Sequence, residues 1–225
     1  MSVQLDAPGA TVDGKTISDW SKDWWNWIID GPKDPFNQSD DRTGFLSHIH
    51  NNGPVFFLAG NNPFSTAGNN TDRFIVVSHD KEILVPLQNN IDIEGPGITA
   101  GPTLSDAEYR AIVDQSLAAN VPDPANVKLN LTIDGKSFDS DLLKTHLEPT
   151  DFFSMGPVKP GSLLTSPTLG IAPGTATDFN KATGYYAMLE NFSKGIHTVS
   201  FGGTVTDATG AVIQSVQTTD HLIVV

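Results

Sequence analysis

Three groups of residues in this chain could do chemistry. The first is His48-Ile49-His50, two imidazoles separated by one residue. On an extended segment such a pair projects to one side and could share a metal, with His79, His146 or an acid as third ligand. The second is a set of oxygen donors, Asp34, Asn37, Asp40 and Asp41, with Asp92 and Glu94 as a separate pair. Carboxylates and amides of this kind suit Ca²⁺, although no EF-hand spacing is present. The third is Trp24-Trp25-Asn26-Trp27. Indoles either pack a core or present a flat apolar face on which a sugar ring can stack. Trp25 lies off the main apolar stripe and is the candidate for stacking.

Other reactive signatures are missing. No GxSxG, GxGxxG, P-loop or HExxH pattern occurs. Two acids could act as a hydrolytic acid–base pair, but spacing alone does not show which acids converge. The chain has 225 residues and no cysteine, which excludes disulfides, thiolate zinc sites and cysteine nucleophiles. Thirteen basic residues against 26 acidic ones leave a net charge of −13. That field repels nucleic acid and anionic membranes, and it favours small cations. No apolar run approaches the roughly 20 residues of a spanning helix, so membrane insertion is not expected. The first residues, Met1 to Asp6, lack the basic and apolar regions of a signal peptide.

The elements that must position these groups are mostly strands. Residues 16–30 predict a helix capped by Thr16 or Ser18, with Ile17, Trp20, Trp24, Trp27 and Ile28 on one stripe. Residues 105–119 predict a second helix. Ser105 and Glu108 form its capping box, and Ile112, Val113 and Leu117 its buried face. Pro54 to Ala59 is continuously apolar, as in a strand buried on both faces, and further strands are expected at 73–77 and 82–87. Pro86 places the last of these at an edge or a bulge. Val127 to Ile133 alternates and runs into the hairpin turn Asp134-Gly135. Strands at 185–192 and 196–206 follow, with a bulge expected at Gly202-Gly203, and 211–225 holds the last one or two strands. The pattern predicts a mainly β chain: an antiparallel β-sandwich, jelly-roll or Ig-like, with two inserted or flanking helices. Residues 1–225 read as one domain, 94–102 being the best candidate boundary.

The blocks Trp24-Trp25-Asn26-Trp27 and Gly53-Pro54-Val55-Phe56-Phe57-Leu58-Ala59-Gly60 resemble those of a family of uncharacterised, mostly exported bacterial proteins with a WWxW helix and a GPVWFLAG-like strand. Leu84-Val85-Pro86-Leu87 with Asn89, Asp134-Gly135, Gly184-Tyr185, Met188-Leu189, Gly195, His197, Phe201 and Gly203 extend the resemblance. It implies export and a β-rich fold, and it carries no assigned activity.

Together these features point to a non-enzymatic extracellular binding or assembly module. Its ligand would be a glycan or another copy of itself, with calcium as a stabiliser. The competing expectation is a metal-assisted or carboxylate-based hydrolase acting on a saccharide.

Overall fold

A computed structural model describes residues 3–32, 37–61, 70–94, 104–120, 122–166 and 169–225. Along the chain lie β1 (Gln4–Leu5), β2 (Thr11–Val12), β3 (Lys15–Thr16), α1 (Ile17–Asp30), β4 (Val55–Phe57), β5 (Asn70–Val77) and β6 (Glu82–Asp92). Then follow α2 (Asp106–Asn120), β7 (Val127–Ile133), β8 (Lys136–Ser137), α3 (Ser140–Lys144), β9 (Leu147–Pro149) and β10 (Phe153–Met155). The long strands β11 (Thr177–Glu190), β12 (Gly195–Thr206) and β13 (Val212–Val224) come last. One sheet has the order β1-β11-β6-β4, with β9 and β10 also on β11; the other runs β5-β13-β12-β7-β8. The mainly β sandwich with flanking helices is therefore present. The antiparallel expectation needs one amendment, because β4–β6 and β5–β13 are parallel pairs. Their partners are not joined by hairpins; longer crossovers bring them in side by side.

The second sheet has one dry and one wet face. Val127, Leu129, Leu131 and Ile133 point inward while Lys128, Asn130 and Thr132 do not, the period of two that a half-buried strand requires. The first sheet has apolar side chains on both faces. Ile83, Val85, Leu87, Tyr185, Ala187 and Leu189 meet the second sheet. Leu84, Tyr186 and Met188 face the opposite way, into a second cluster roofed by α1. This is why β4 and its surroundings are continuously apolar: neither face meets water.

Helix α1 starts where Thr16 Oγ1 accepts the Asp19 N–H at 3.1 Å. Trp20, Trp24 and Trp27 are buried at spacings of four and three residues. Each indole N–H is satisfied by a backbone carbonyl: Val12 at 2.9 Å, Leu58 at 2.7 Å and Ile49 at 2.6 Å. The cluster therefore leaves no orphan donor at these three positions. In α2 the Ser105–Glu108 box forms, with Ser105 N donating to Glu108 Oε2 at 2.9 Å. Its buried face is Tyr109, Val113 and Leu117, whereas Ile112 is 37% exposed, contrary to expectation. Tyr109 supplies the missing surface by packing on Phe179, ring centroids 5.2 Å apart.

Of two further expectations, the first holds and the second does not. Pro86 sits at a bulge within a central strand, where Tyr185 pairs with Gln88 and Tyr186 with Pro86. Gly202-Gly203 is not a bulge, since the β12–β13 ladder passes through both in register and shifts only at Val205/Thr206. Gly202 is needed for another reason. Its φ is +149°, and a Cβ there would lie 1.9 Å from the Val216 carbonyl oxygen.

Candidate functional site

A groove of about 620 Å³ lies between one flank of α1, the end of β6 and the start of β13. Trp25 lies on this flank while its neighbour Trp24 turns into the core, because adjacent helical positions differ by about 100°. Aliphatic side chains line most of the groove, among them Ile91, Ile213 and Val216. Its polar lining consists of the amides Asn61, Gln88, Asn89, Asn90 and Gln214 and the hydroxyls of Ser39 and Ser215. Among the described residues no acid, lysine, arginine or histidine lines it.

The amides are placed by sheet geometry. Gln88 and Asn90 follow the apolar run 83–87, where β6 leaves the covered part of the sheet. Gln88 Nε2 donates to Gln214 Oε1 at 2.9 Å, linking β6 to β13 across the groove. Asn90 Nδ2 donates to the Asn120 carbonyl at 2.8 Å, at the end of α2. Asn61 donates to the Gln217 carbonyl and accepts from Thr71 Oγ1, both at 2.7 Å, and so fixes one wall. Beneath the groove, Tyr186 is fully buried and burial drives its phenol far above the ordinary range. Trp25 and Asn89 lie beside that hydroxyl and oppose the shift, but neither meets strict hydrogen-bond geometry. Among the described residues the lining is made of side chains that do not ionise near neutrality. It can hold a neutral ligand by stacking and hydrogen bonding.

A second, smaller concavity of about 290 Å³ lies on the other flank of α1. His50, Asp23, Asp30, Lys159, Trp20 and Trp27 are among its lining residues. Asp23 is ion-paired to Lys15 and Asp30 to Lys159, each at 2.6 Å. Each carboxylate thus already has a cationic partner.

The histidine pair is separated by its backbone. The chain is not extended here: Phe45–His48 is a 3₁₀ turn and His50 is left-handed, φ +55°. His48 packs on Phe56, ring centroids 5.6 Å apart, and only His50 reaches the smaller cleft. The premise of a shared side therefore fails. Asp41 spends both carboxylate oxygens locally, Oδ1 on Thr43 N and Oγ1 at 2.8 Å and Oδ2 on Leu46 N at 2.7 Å. Asn37 likewise accepts from Ser39 N at 3.0 Å and donates to the Ile28 carbonyl at 2.9 Å. Asp40 is half-buried in the same turn, and Asp34 lies outside the described residues. Among the described residues no three His, Asp or Glu side chains are arranged to hold a metal.

One Ser–His–Asp arrangement also occurs at the far end of the sandwich. His197 Nδ1 lies 2.6 Å from Asp134 Oδ2, and its Nε2 lies 3.2 Å from Ser193 Oγ. The same Nε2 is closer, 2.9 Å, to the Ser193 carbonyl oxygen. A nitrogen donating to a carbonyl cannot take the serine proton, so the trio reads as a pin between two turns rather than a nucleophile and base.

The amides Gln88 and Gln214 were not singled out by sequence reasoning. The available signal was an amide run, Gln88-Asn89-Asn90, closing an apolar strand. No family model, curated protein or solved structure matches this chain.

Proposed function

We propose that the chain is a non-enzymatic extracellular binding module that takes a neutral glycan in the Trp25 groove. The observation carrying this reading is that, in a chain of net charge −13, a groove of about 620 Å³ is lined by no charged side chain among the described residues. Ionic ligands gain nothing from such a lining, and acid–base chemistry has no agent in it. An indole face beside amides is the combination that suits a sugar, with C–H faces to stack and hydroxyls to bond. The volume falls within the roughly 300–1,000 Å³ of small-molecule sites. An extracellular setting follows from the family resemblance.

Calorimetry with a panel of neutral oligosaccharides tests this. Binding of at least one is expected, with Trp25→Ala weakening it about tenfold, close to 1.4 kcal/mol. No binding by any, or binding indifferent to Trp25, overturns the reading. A second reading, hydrolysis of a saccharide, draws on His50, Asp23 and Asp30 sharing the smaller cleft. It requires turnover of a saccharide that Asp23→Asn or Asp30→Asn abolishes.

A further inference from the structure

Asn52-Gly53 is the single Asn-Gly step in the chain, and it lies in the bend that leads from the His50 turn into β4. Asn52, Gly53 and Pro54 are all exposed. Among the described residues nothing bonds to the Asn52 side chain or to the Gly53 N–H. The preceding asparagine is the internal contrast. Asn51 is 5% exposed; its Nδ2 donates to the Ser47 and Phe57 carbonyls, each at 2.9 Å, and its Oδ1 accepts the Phe57 N–H at 3.0 Å. Freeing that amide breaks three bonds, each contributing about 0.5–1.5 kcal/mol. Asn52 has no such restraint, and the residue after it has no Cβ to obstruct a close approach of backbone to side chain.

We propose that Asn52 is a site of spontaneous covalent modification, through closure of the Asn52–Gly53 step to a succinimide ring. The Gly53 nitrogen, losing its proton to solvent base, attacks Asn52 Cγ. The Cγ–Nδ2 bond breaks, and Nδ2 takes a proton from solvent and leaves as ammonia. Water then opens the ring at either carbonyl, which yields aspartate or isoaspartate. In sum, an amide and a water become a carboxylic acid and ammonia, with no change of oxidation state. Both reacting groups sit on neighbouring residues, so the attack is intramolecular. Both products add a negative charge to the bend. Isoaspartate also adds one chain atom between two anchored points, the Asn51 clamp and Val55, which pairs with Glu82. The longer bend then mismatches its anchors. Gly53 lines the smaller cleft with His50, so the change falls on the rim of that cleft.

The test incubates the full chain under mildly alkaline conditions and follows Asn52 by peptide mass spectrometry and by enzymatic methylation of isoaspartate. Native wild type, Gly53→Ala and urea-unfolded wild type are compared. Gly53 has a φ outside the left-handed region, and a Cβ there would meet only the Val55 carbonyl oxygen, at an ordinary 3.7 Å. The alanine variant should therefore fold while crowding the attack. The expected result is conversion at Asn52 at least tenfold faster than at Asn51, faster still as pH rises, and slowed at least tenfold by Gly53→Ala. The fractionated isoaspartyl form should melt below the Asn52→Asp variant. An Asn52 that stays intact while the urea-unfolded chain converts overturns the proposal. So does conversion that Gly53→Ala leaves unchanged. If Gly53→Ala does not fold, native and unfolded wild type decide alone: similar rates support the proposal, and protection of the native chain overturns it. An isoaspartyl form as stable as Asn52→Asp overturns the mismatch between the longer bend and its anchors.

Discussion

Arg73 and Asp220 meet inside the sandwich as a two-bonded fork, Nε to Oδ1 at 2.6 Å and Nη2 to Oδ2 at 2.8 Å, with neither side chain exposed. Arg73 also donates to the Ala59 carbonyl at 2.6 Å, so the pair ties β5 and β13 to the segment after β4. Burial pushes the Asp220 carboxyl up, against the pull of Arg73. Removing one partner strands a buried charge. Arg73→Met or Asp220→Leu alone should therefore cost about 3–5 kcal/mol in urea unfolding. The double variant should recover a large part of that loss. A double variant as unstable as the sum of the singles would show that the two charges do not depend on each other.

The adjacent residues Trp24 and Trp25 should separate stability from binding. Trp24 is 4% exposed, and its N–H is held by the Leu58 carbonyl. Trp24→Ala is expected to lose about 3–5 kcal/mol of stability. Trp25→Ala should lose clearly less, because Trp25 is only partly buried at the groove, and its effect should appear in ligand affinity. Thermal melts of the two variants beside the calorimetry decide this. Equal melting temperatures would contradict the division of labour.

Glu148 gives a pH dependence of unusual sign. It is 7% exposed, and burial raises its carboxyl above the ordinary value, opposed by the Gly9 N–H at 3.3 Å. A raised folded-state value means that the native protein holds this proton more tightly than the unfolded chain. Stability from this group is then intact below the unfolded value of about 4.3 and is lost as pH rises through the interval up to the folded value. Glu148→Gln keeps the acceptor and removes the charge. It should raise the melting temperature at pH 7 and leave it nearly unchanged near pH 3.5. A variant less stable at pH 7 would refute the sign.

Gly202 should tolerate no side chain. With φ at +149° and the Val216 carbonyl oxygen where a Cβ would stand, Gly202→Ala must push β12 from β13. A loss of roughly 2–4 kcal/mol is expected in chemical unfolding. Gly60 is the control. Its Cβ would meet only Pro86 and Val216, each at an ordinary 3.9 Å, so Gly60→Ala should fold normally and slightly fill the groove.

What could be read from the chain divides along physical lines. Helix α1 was legible because its cap and its stripe are local: Thr16, Trp20, Trp24 and Trp27 act within one element. Trp25 could be picked out by its helical angle alone. The groove was not legible, because Gln88 and Gln214 are 126 residues apart and meet only through sheet pairing. His48 and His50 misled because the alternation rule assumes an extended chain. Gly44, at φ +87°, turns the backbone into a 3₁₀ turn just before them. Asp41 shows a related ambiguity: a loop whose carboxylate holds its own N–H groups has the same composition as one that wraps a cation.

The Arg73–Asp220 fork has a consequence for biosynthesis. Its two halves lie 147 residues apart, and β13 is an inner strand of its sheet, with β5 paired along one side. On the ribosome, β5 must wait for the 147 residues that separate Arg73 from Asp220 before its neighbour arrives. During that interval Arg73 stays hydrated and the hydrophobic strand residues Phe74 to Val77 lack their lateral partner. Closure of the second sheet thus waits until β13 has been made, and until then β5 is a strand without its lateral partner.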